Sequence, residues 1–238
     1  AASKEVIQLM RAADLAGQVN LDVVIYPAAQ RDPGSMMTLA YGNYDGRVKI
    51  GGVKLMLDGS PQGKTAFMTK PYLHPPHGQN AEYRGYPAIP QAQVDKLVAK
   101  FGRAGIPMIA HANGDAAADM LINAVRQANI QTDHRTVMIH AQTVREDQLT
   151  DMKALGIIPS YFAAHSFYWG DWHRDSVFGK SRALRISPTA STLARGMIFT
   201  VHNDAPIVPP DMIRLLWATT NRITRSGKVL GKNQRNSI

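Results

Sequence analysis

No cysteine occurs among the 238 residues. Disulfides and thiolate metal sites are thereby excluded, and any metal must rest on histidine, carboxylates or a modified side chain. That absence does not fix the compartment; the cytoplasm is the expectation. No apolar run approaches the roughly 18 residues of a membrane-crossing helix, so no membrane partner is expected. No block of like charge stands out, despite a formal net charge of +9. Lysine and arginine are spread along the chain. A mild cluster at Arg222, Arg225, Lys228, Lys232 and Arg235 reads as a solvated helix end. No zinc-finger or RNA-recognition pattern accompanies it, so no nucleic-acid partner is expected; such binding would show as steeply salt-dependent affinity.

What is present suits one large α/β domain over residues 1–238. The composition, 45% hydrophobic and 19% charged, argues against disorder. The amino terminus, Ala1-Ala2-Ser3-Lys4-Glu5, has no initiator methionine and no signal-peptide core. Val6, Ile7, Met10, Ala13 and Ala16 follow a helical period at once, so the chain reads as a piece that follows something.

The centre of the sequence holds two apolar runs that each end in an imidazole, Ile106–His111 and Thr136–His140. Between them Ala117, Met120, Leu121, Ala124 and Val125 recur at helical spacing. The separation, 140 − 111 = 29 residues, is about one strand–helix–strand unit. Such a unit puts both histidines at the carboxyl ends of adjacent parallel strands, where α/β sheets and barrels place their chemistry. Each alone could be a hydrogen-bonded rim histidine; together they point to metal ligands.

Other elements follow in order. A helix runs to about Ala16, a strand covers Leu21–Tyr26, and residues 28–47 form a loop with a short helix. A strand from Val48 to Ser60 bends at Gly51-Gly52. Lys54 stands in it among Val53, Leu55, Met56 and Leu57. It is either an edge or snorkelling lysine, or a desolvated amine of lowered pKa able to take up carbon dioxide as a carbamate. Residues 62–90 lack periodicity and read as a long loop or lid. His74 and His77 there bracket two prolines and read as loop surface.

Helices follow at Val94–Phe101 and Asp147–Leu155, with a strand at Ile157–Phe162. The stretch through His165, Trp169, Trp172 and His173 reads as a loop of pocket character, or as a packed lid. Together with Tyr72, His165 and Trp169 are the candidate substrate contacts. Ser187 and Pro188 read as N-cap and first residue of a helix. A strand, Met197–Asp204, ends in a carboxylate, and Met212–Ile223 forms the last helix.

Lys54, His111, His140 and Asp204 at successive strand ends resemble the amidohydrolase superfamily. The closer likeness is to its amidohydrolase family 3 branch of YtcJ-like and N-substituted formamide deformylase-like metal hydrolases. It is carried by Val53-Lys54-Leu55-Met56-Leu57-Asp58-Gly59-Ser60, His111-Ala112-Asn113-Gly114-Asp115, Ile139-His140-Ala141-Gln142 and Asn203-Asp204-Ala205-Pro206.

The resemblance implies a (β/α)8 TIM-type barrel and hydrolysis of C–N bonds, amide, N-acyl or N-formyl. Lys54, carboxylated, would hold one divalent ion, zinc foremost, with His111 and His140. Asp204 would be metal ligand, general base and then acid. The substrate would be a small amide. The family's first-strand His-x-His pair is absent, since the eight histidines stand at 74, 77, 111, 134, 140, 165, 173 and 202. The expectation is therefore an incomplete barrel of about six βα units, without the first strands and the flanking β-sandwich. Such a piece would be nearly inactive alone, its open edges covered by another chain or a second copy. The competing expectation is a metal-free α/β scaffold that binds a small ligand at the same rim.

Overall fold

A computed structural model describes residues 2–236 of the chain. In order the elements are α1 (Lys4–Leu15), β1 (Val23–Ile25), α2 (Pro33–Met36), β2 (Tyr44–Asp45), β3 (Val48–Ile50), β4 (Val53–Met56), α3 (Gln91–Arg103), β5 (Met108–Ala112), α4 (Asp115–Ala128) and β6 (Val137–His140). Then come α5 (Glu146–Ala154), β7 (Ile158–Tyr161), α6 (His165–Tyr168), α7 (Gly170–Trp172), a π-helical turn (His173–Val177), α8 (Lys180–Ala183), α9 (Thr189–Ala194), β8 (Thr200–Val201) and α10 (Met212–Asn221). Among the described residues no helix is long and apolar enough to cross a membrane.

Strands β4 to β8 form one parallel sheet in chain order. A second sheet has the order β1-β3-β2, with β1 and β3 parallel. The chain beyond β1 links the two, because Ala28 bridges to Lys54 and the Lys54 N–H donates to Pro27 O at 2.8 Å. β3 and β4 flank Gly51-Gly52, where the sequence suggests a bend within one strand, but they are separate strands that belong to the two different sheets. A Cβ on Gly52 would lie 2.1 Å from the Pro107 carbonyl oxygen, so only glycine lets the neighbouring strand approach.

Alternation decides which face is filled. On β5, Met108, Ala110 and Ala112 are buried against helices α3 and α4, whose Phe101, Ala117, Leu121 and Ala124 meet them in the main core. Ile109 and His111 point the other way and stay half-buried. Lys54 and Met56 do the same on β4, as do Val137 and Ile139 on β6. The sheet is therefore packed on its outer side and open on its inner side.

Three local expectations need correction. Residues 165–177 form two short helical turns and a π-turn where a loop is expected. Ser187 does not cap α9: Pro188 is the N-cap, and the Ser187 hydroxyl donates to Gln142 Oε1 at 3.3 Å. Arg222 is no part of a solvated helix end. It is fully buried, and its guanidinium donates to the carbonyls of Leu230, Ser187 and Ile186 at 2.8, 3.1 and 2.6 Å. Backbone carbonyls supply the partners that make an interior cation tolerable.

Candidate metal centre

The carboxyl ends of β5, β6 and β8 bring three imidazoles into a row. His111 Nδ1 lies 3.1 Å from His140 Nε2, and His140 Nδ1 lies 3.2 Å from His202 Nε2. At one end His111 Nε2 is 2.9 Å from Gly59 O; at the other His202 Nδ1 is 2.9 Å from Ser160 Oγ. A carbonyl oxygen only accepts, so the Gly59 contact is a hydrogen bond in the tautomer with the proton on Nε2, which leaves the Nδ1 lone pair facing His140. Asp58 Oδ1, 3.4 Å from His111 Nε2, favours the same tautomer.

The strand ends are bent to achieve this. His140, Ala141 and Asp204 have φ of 73°, 45° and 59°, in the left-handed region that L-residues avoid. Each such residue costs about 1–3 kcal/mol, and such strain gathers at functional sites. Asp58 braces the arrangement from beneath. Its carboxylate accepts the backbone N–H groups of Phe67, Asn113 and Gly114 at 3.0, 3.0 and 2.7 Å, tying the loop after β4 to the end of β5. A Cβ on Gly114 would stand 1.8 Å from Phe67 O, so this junction also requires glycine.

Electrostatics keep the row neutral. Burial lowers His111 to about 4 and His202 to about 4, and takes His140 well below its ordinary value. The Lys54 charge pushes all three down further. Burial also lowers Lys54, opposed by the Asp204 carboxylate. Asp204 is raised by burial and lowered by Lys54. Asp58 is raised by burial to about 7, against its three N–H donors. Neutral imidazoles beside a carboxylate and a partly desolvated amine offer lone pairs, which is what a cation needs.

The donors fit a divalent ion. Two nitrogens bound to one tetrahedral ion at about 2.05 Å stand roughly 3.3 Å apart. His111 Nδ1 and His140 Nε2 already stand 3.1 Å apart. His140, His202 and Asp204 offer ligand atoms all within 4.8 Å of one another. Of the expected set, the structure thus joins His111 to His140 and His140 to Asp204, with Lys54 facing Asp204 through charge. His202 was missed. Its signal is in the sequence: it stands two residues before Asp204, on the same face of an extended chain.

His165 is fully buried against Phe162 and Trp169, with ring centroids 4.4 and 5.2 Å away. Its pKa is well below the ordinary value through burial and the charges of His173, His202 and His111. Tyr72 lies in a separate core with Met68, Phe178 and Leu230, its hydroxyl donating to Ala66 O at 2.6 Å. It holds the loop that crosses the site rather than presenting a free hydroxyl.

The whole chain, residues 1–238, matches the sequence model of the Amidohydrolase family. The chain belongs to that family. A Bacillus subtilis (strain 168) protein that carries the name amidohydrolase YtcJ is 25% identical over 167 residues, covering 69% of this chain and 30% of that protein. Protein LONG AFTER FAR-RED 3 of Arabidopsis thaliana is 24% identical over 178 residues, covering 73% and 30%. Among solved structures, an uncharacterized metal-dependent hydrolase from Pyrococcus horikoshii OT3 superposes with TM-score 0.80 at 24% identity, over 98% of this chain and 46% of that one. The chain thus spans 30% of the curated relatives and under half of the solved one.

Proposed function

We propose that the chain is the metal-binding part of a hydrolase that cleaves C–N bonds of small amides, N-acyl or N-formyl compounds. The facing pair His111 Nδ1 and His140 Nε2, 3.1 Å apart at strained strand ends, carries the proposal. These two histidines and Lys54 would hold one divalent ion, zinc foremost, with Asp204 beside it and His202 within reach. When bound, such an ion lowers the pKa of water toward about 7 and polarises the scissile carbonyl.

The remaining roles belong to the chain. Lys54, its pKa lowered by burial, keeps a fraction of free amine. That amine attacks carbon dioxide, forming a C–N bond and releasing one proton, and the product is a carbamate of carboxylate type. Asp204, its pKa raised by burial against the pull of Lys54, accepts a proton from attacking water and returns it to the leaving nitrogen. His165 and Trp169 form the aromatic wall for the acyl group, and Tyr72 steadies the loop 62–90 as a lid. The inner sheet face, which bears Lys54, Met56, Ile109, His111, Val137 and Ile139, would be the inside of an incomplete barrel. Further strands or a second copy would cover it, and this piece alone would turn over little substrate.

Elemental analysis of the purified chain, with intact mass in bicarbonate buffer, tests the proposal. One zinc per chain and a mass gain of one carbon dioxide are expected, both lost in Lys54→Ala, and the metal lost in His140→Ala. Metal at background in the unsubstituted chain would refute it. A metal-free ligand-binding scaffold is the second reading, favoured by the hydrogen-bond partners that Gly59 O and Ser160 Oγ give the two ends of the imidazole row. That reading requires an unmodified Lys54.

A further inference from the structure

We propose that a second cavity, on the outer flank of the strand ends, binds a small oxyanion, a phosphate or carboxylate group. The cavity, about 290 Å³, lies where the loop after β4, the starts of α4 and α5, and α8 meet. That is near the lower limit of small-molecule sites. Lys70, Arg145, Arg182 and Arg185 line it against a single carboxylate, Asp115. Neither Lys54 nor any histidine of the row does, so this is a site apart from the metal centre.

The charges do not cancel. Arg145 is spent on Asp119 and Asp147, with bonds of 2.8–3.1 Å, and Arg185 on Glu146. Asp115 is engaged by Thr69 and Arg145. Arg182 is different. Its guanidinium donates only to backbone carbonyls, those of Phe178, Lys70 and Pro71 at 2.9, 3.3 and 2.7 Å. Three of its five N–H groups are used, so two remain for a ligand.

Among the described residues no carboxylate pairs with Arg182 or with Lys70. Arg182 is about half buried; that burial lowers its pKa, and the Asp115 carboxylate across the cavity opposes the shift. A partly desolvated guanidinium with no carboxylate in hydrogen-bond contact is a group that carboxylate and phosphate oxygens satisfy well, through two parallel charge-assisted bonds. Lys70 adds a second cation at the mouth.

The cavity also abuts the metal centre without entering it. Thr143 lines its wall and donates to Asn113 O at 2.8 Å. The Asn113 side-chain nitrogen is 3.0 Å from His111 Nε2. An anion seated on Arg182 would therefore lie next to the strand ends, able to hold a charged part of a ligand or a free ion beside them.

Calorimetric titration with inorganic phosphate and, separately, with succinate at constant ionic strength is the test. One saturable site for either anion is expected, and which one saturates it assigns phosphoryl or carboxylate chemistry. Arg182→Gln should weaken binding about tenfold or more. Because Arg182 also ties down Lys70 and Pro71, Lys70→Ala serves as the second variant. It should weaken binding about threefold with the anion-free melting temperature unchanged. No saturation by either anion up to about 10 mM, tenfold above a millimolar Kd, overturns the proposal. Undiminished binding in both variants overturns it too.

Discussion

Arg222→Met isolates one buried charge and puts a number on it. Met keeps the length and apolar bulk of the arginine stem while removing three hydrogen bonds. Burial pushes the Arg222 pKa down to about 10, a displacement that costs the folded state about 3 kcal/mol. Against this, three charged hydrogen bonds at about 1.5–3 kcal/mol each contribute roughly 4.5–9 kcal/mol. The balance favours arginine by about 3 kcal/mol, within the range of these terms. Of the three carbonyls, Ser187 O keeps the Thr189 N–H at 2.8 Å, while the described residues offer Leu230 O and Ile186 O no other donor.

The expected loss of about 3 kcal/mol corresponds to a melting temperature lower by about 6–12 °C for a chain of this size. Urea unfolding followed by far-UV circular dichroism measures it. Arg222→Lys should fall in between, because one ammonium cannot span three carbonyls placed around a planar fork. A Met variant within about 0.5 kcal/mol of the parent would show that burial of the guanidinium cancels its bonds, and the reasoning would fail.

Asp58→Ala should lower metal affinity about 10–100-fold by releasing His111 from its carboxylate partner, read by competition with a chromogenic chelator; unchanged affinity would remove Asp58 from the centre. Leu121→Ala, at a fully buried position of α4, should cost about 2–5 kcal/mol in urea, and a cost below about 1 kcal/mol would mean the core collapses around the gap. His173 is held at about 3 by burial, whereas the unfolded chain protonates near 6.5. Its contribution is therefore fully present above that pH and lost as pH falls from about 6.5 toward 3. His173→Phe should flatten that decline in melting temperature; an identical acid slope in the variant would contradict the assignment.

The sequence made the elements legible where periodicity is strong. The 3.6-residue spacing of α3 and α4 describes a surface buried on one side, and the short apolar runs ending in His111 and His140 describe buried strands, which single-chain patterning reports directly. The interruption at Gly51-Gly52 was visible, as a bend, because two adjacent glycines in a strand have few other uses. What was not legible depends on partners distant in sequence. Arg222 looked solvated because its carbonyl acceptors lie 8 to 36 residues away and carry no side-chain signature. Ser187 looked like a cap until Gln142, 45 residues earlier, took its hydroxyl. His202 was passed over because a lone imidazole before a carboxylate has no meaning until the β6 end is set beside it.

The inner face left half-exposed by β4 to β8 bears on how such a site assembles. The 3.1 Å histidine pair depends on adjacent strands joined by a single helix, with neighbours in register from Lys54 to Tyr161. Contacts of short sequence separation form early and quickly, while closing a sheet on itself waits for its most distant partners. The His111–His140 pair can therefore be ordered while the sheet around it is still an open trough.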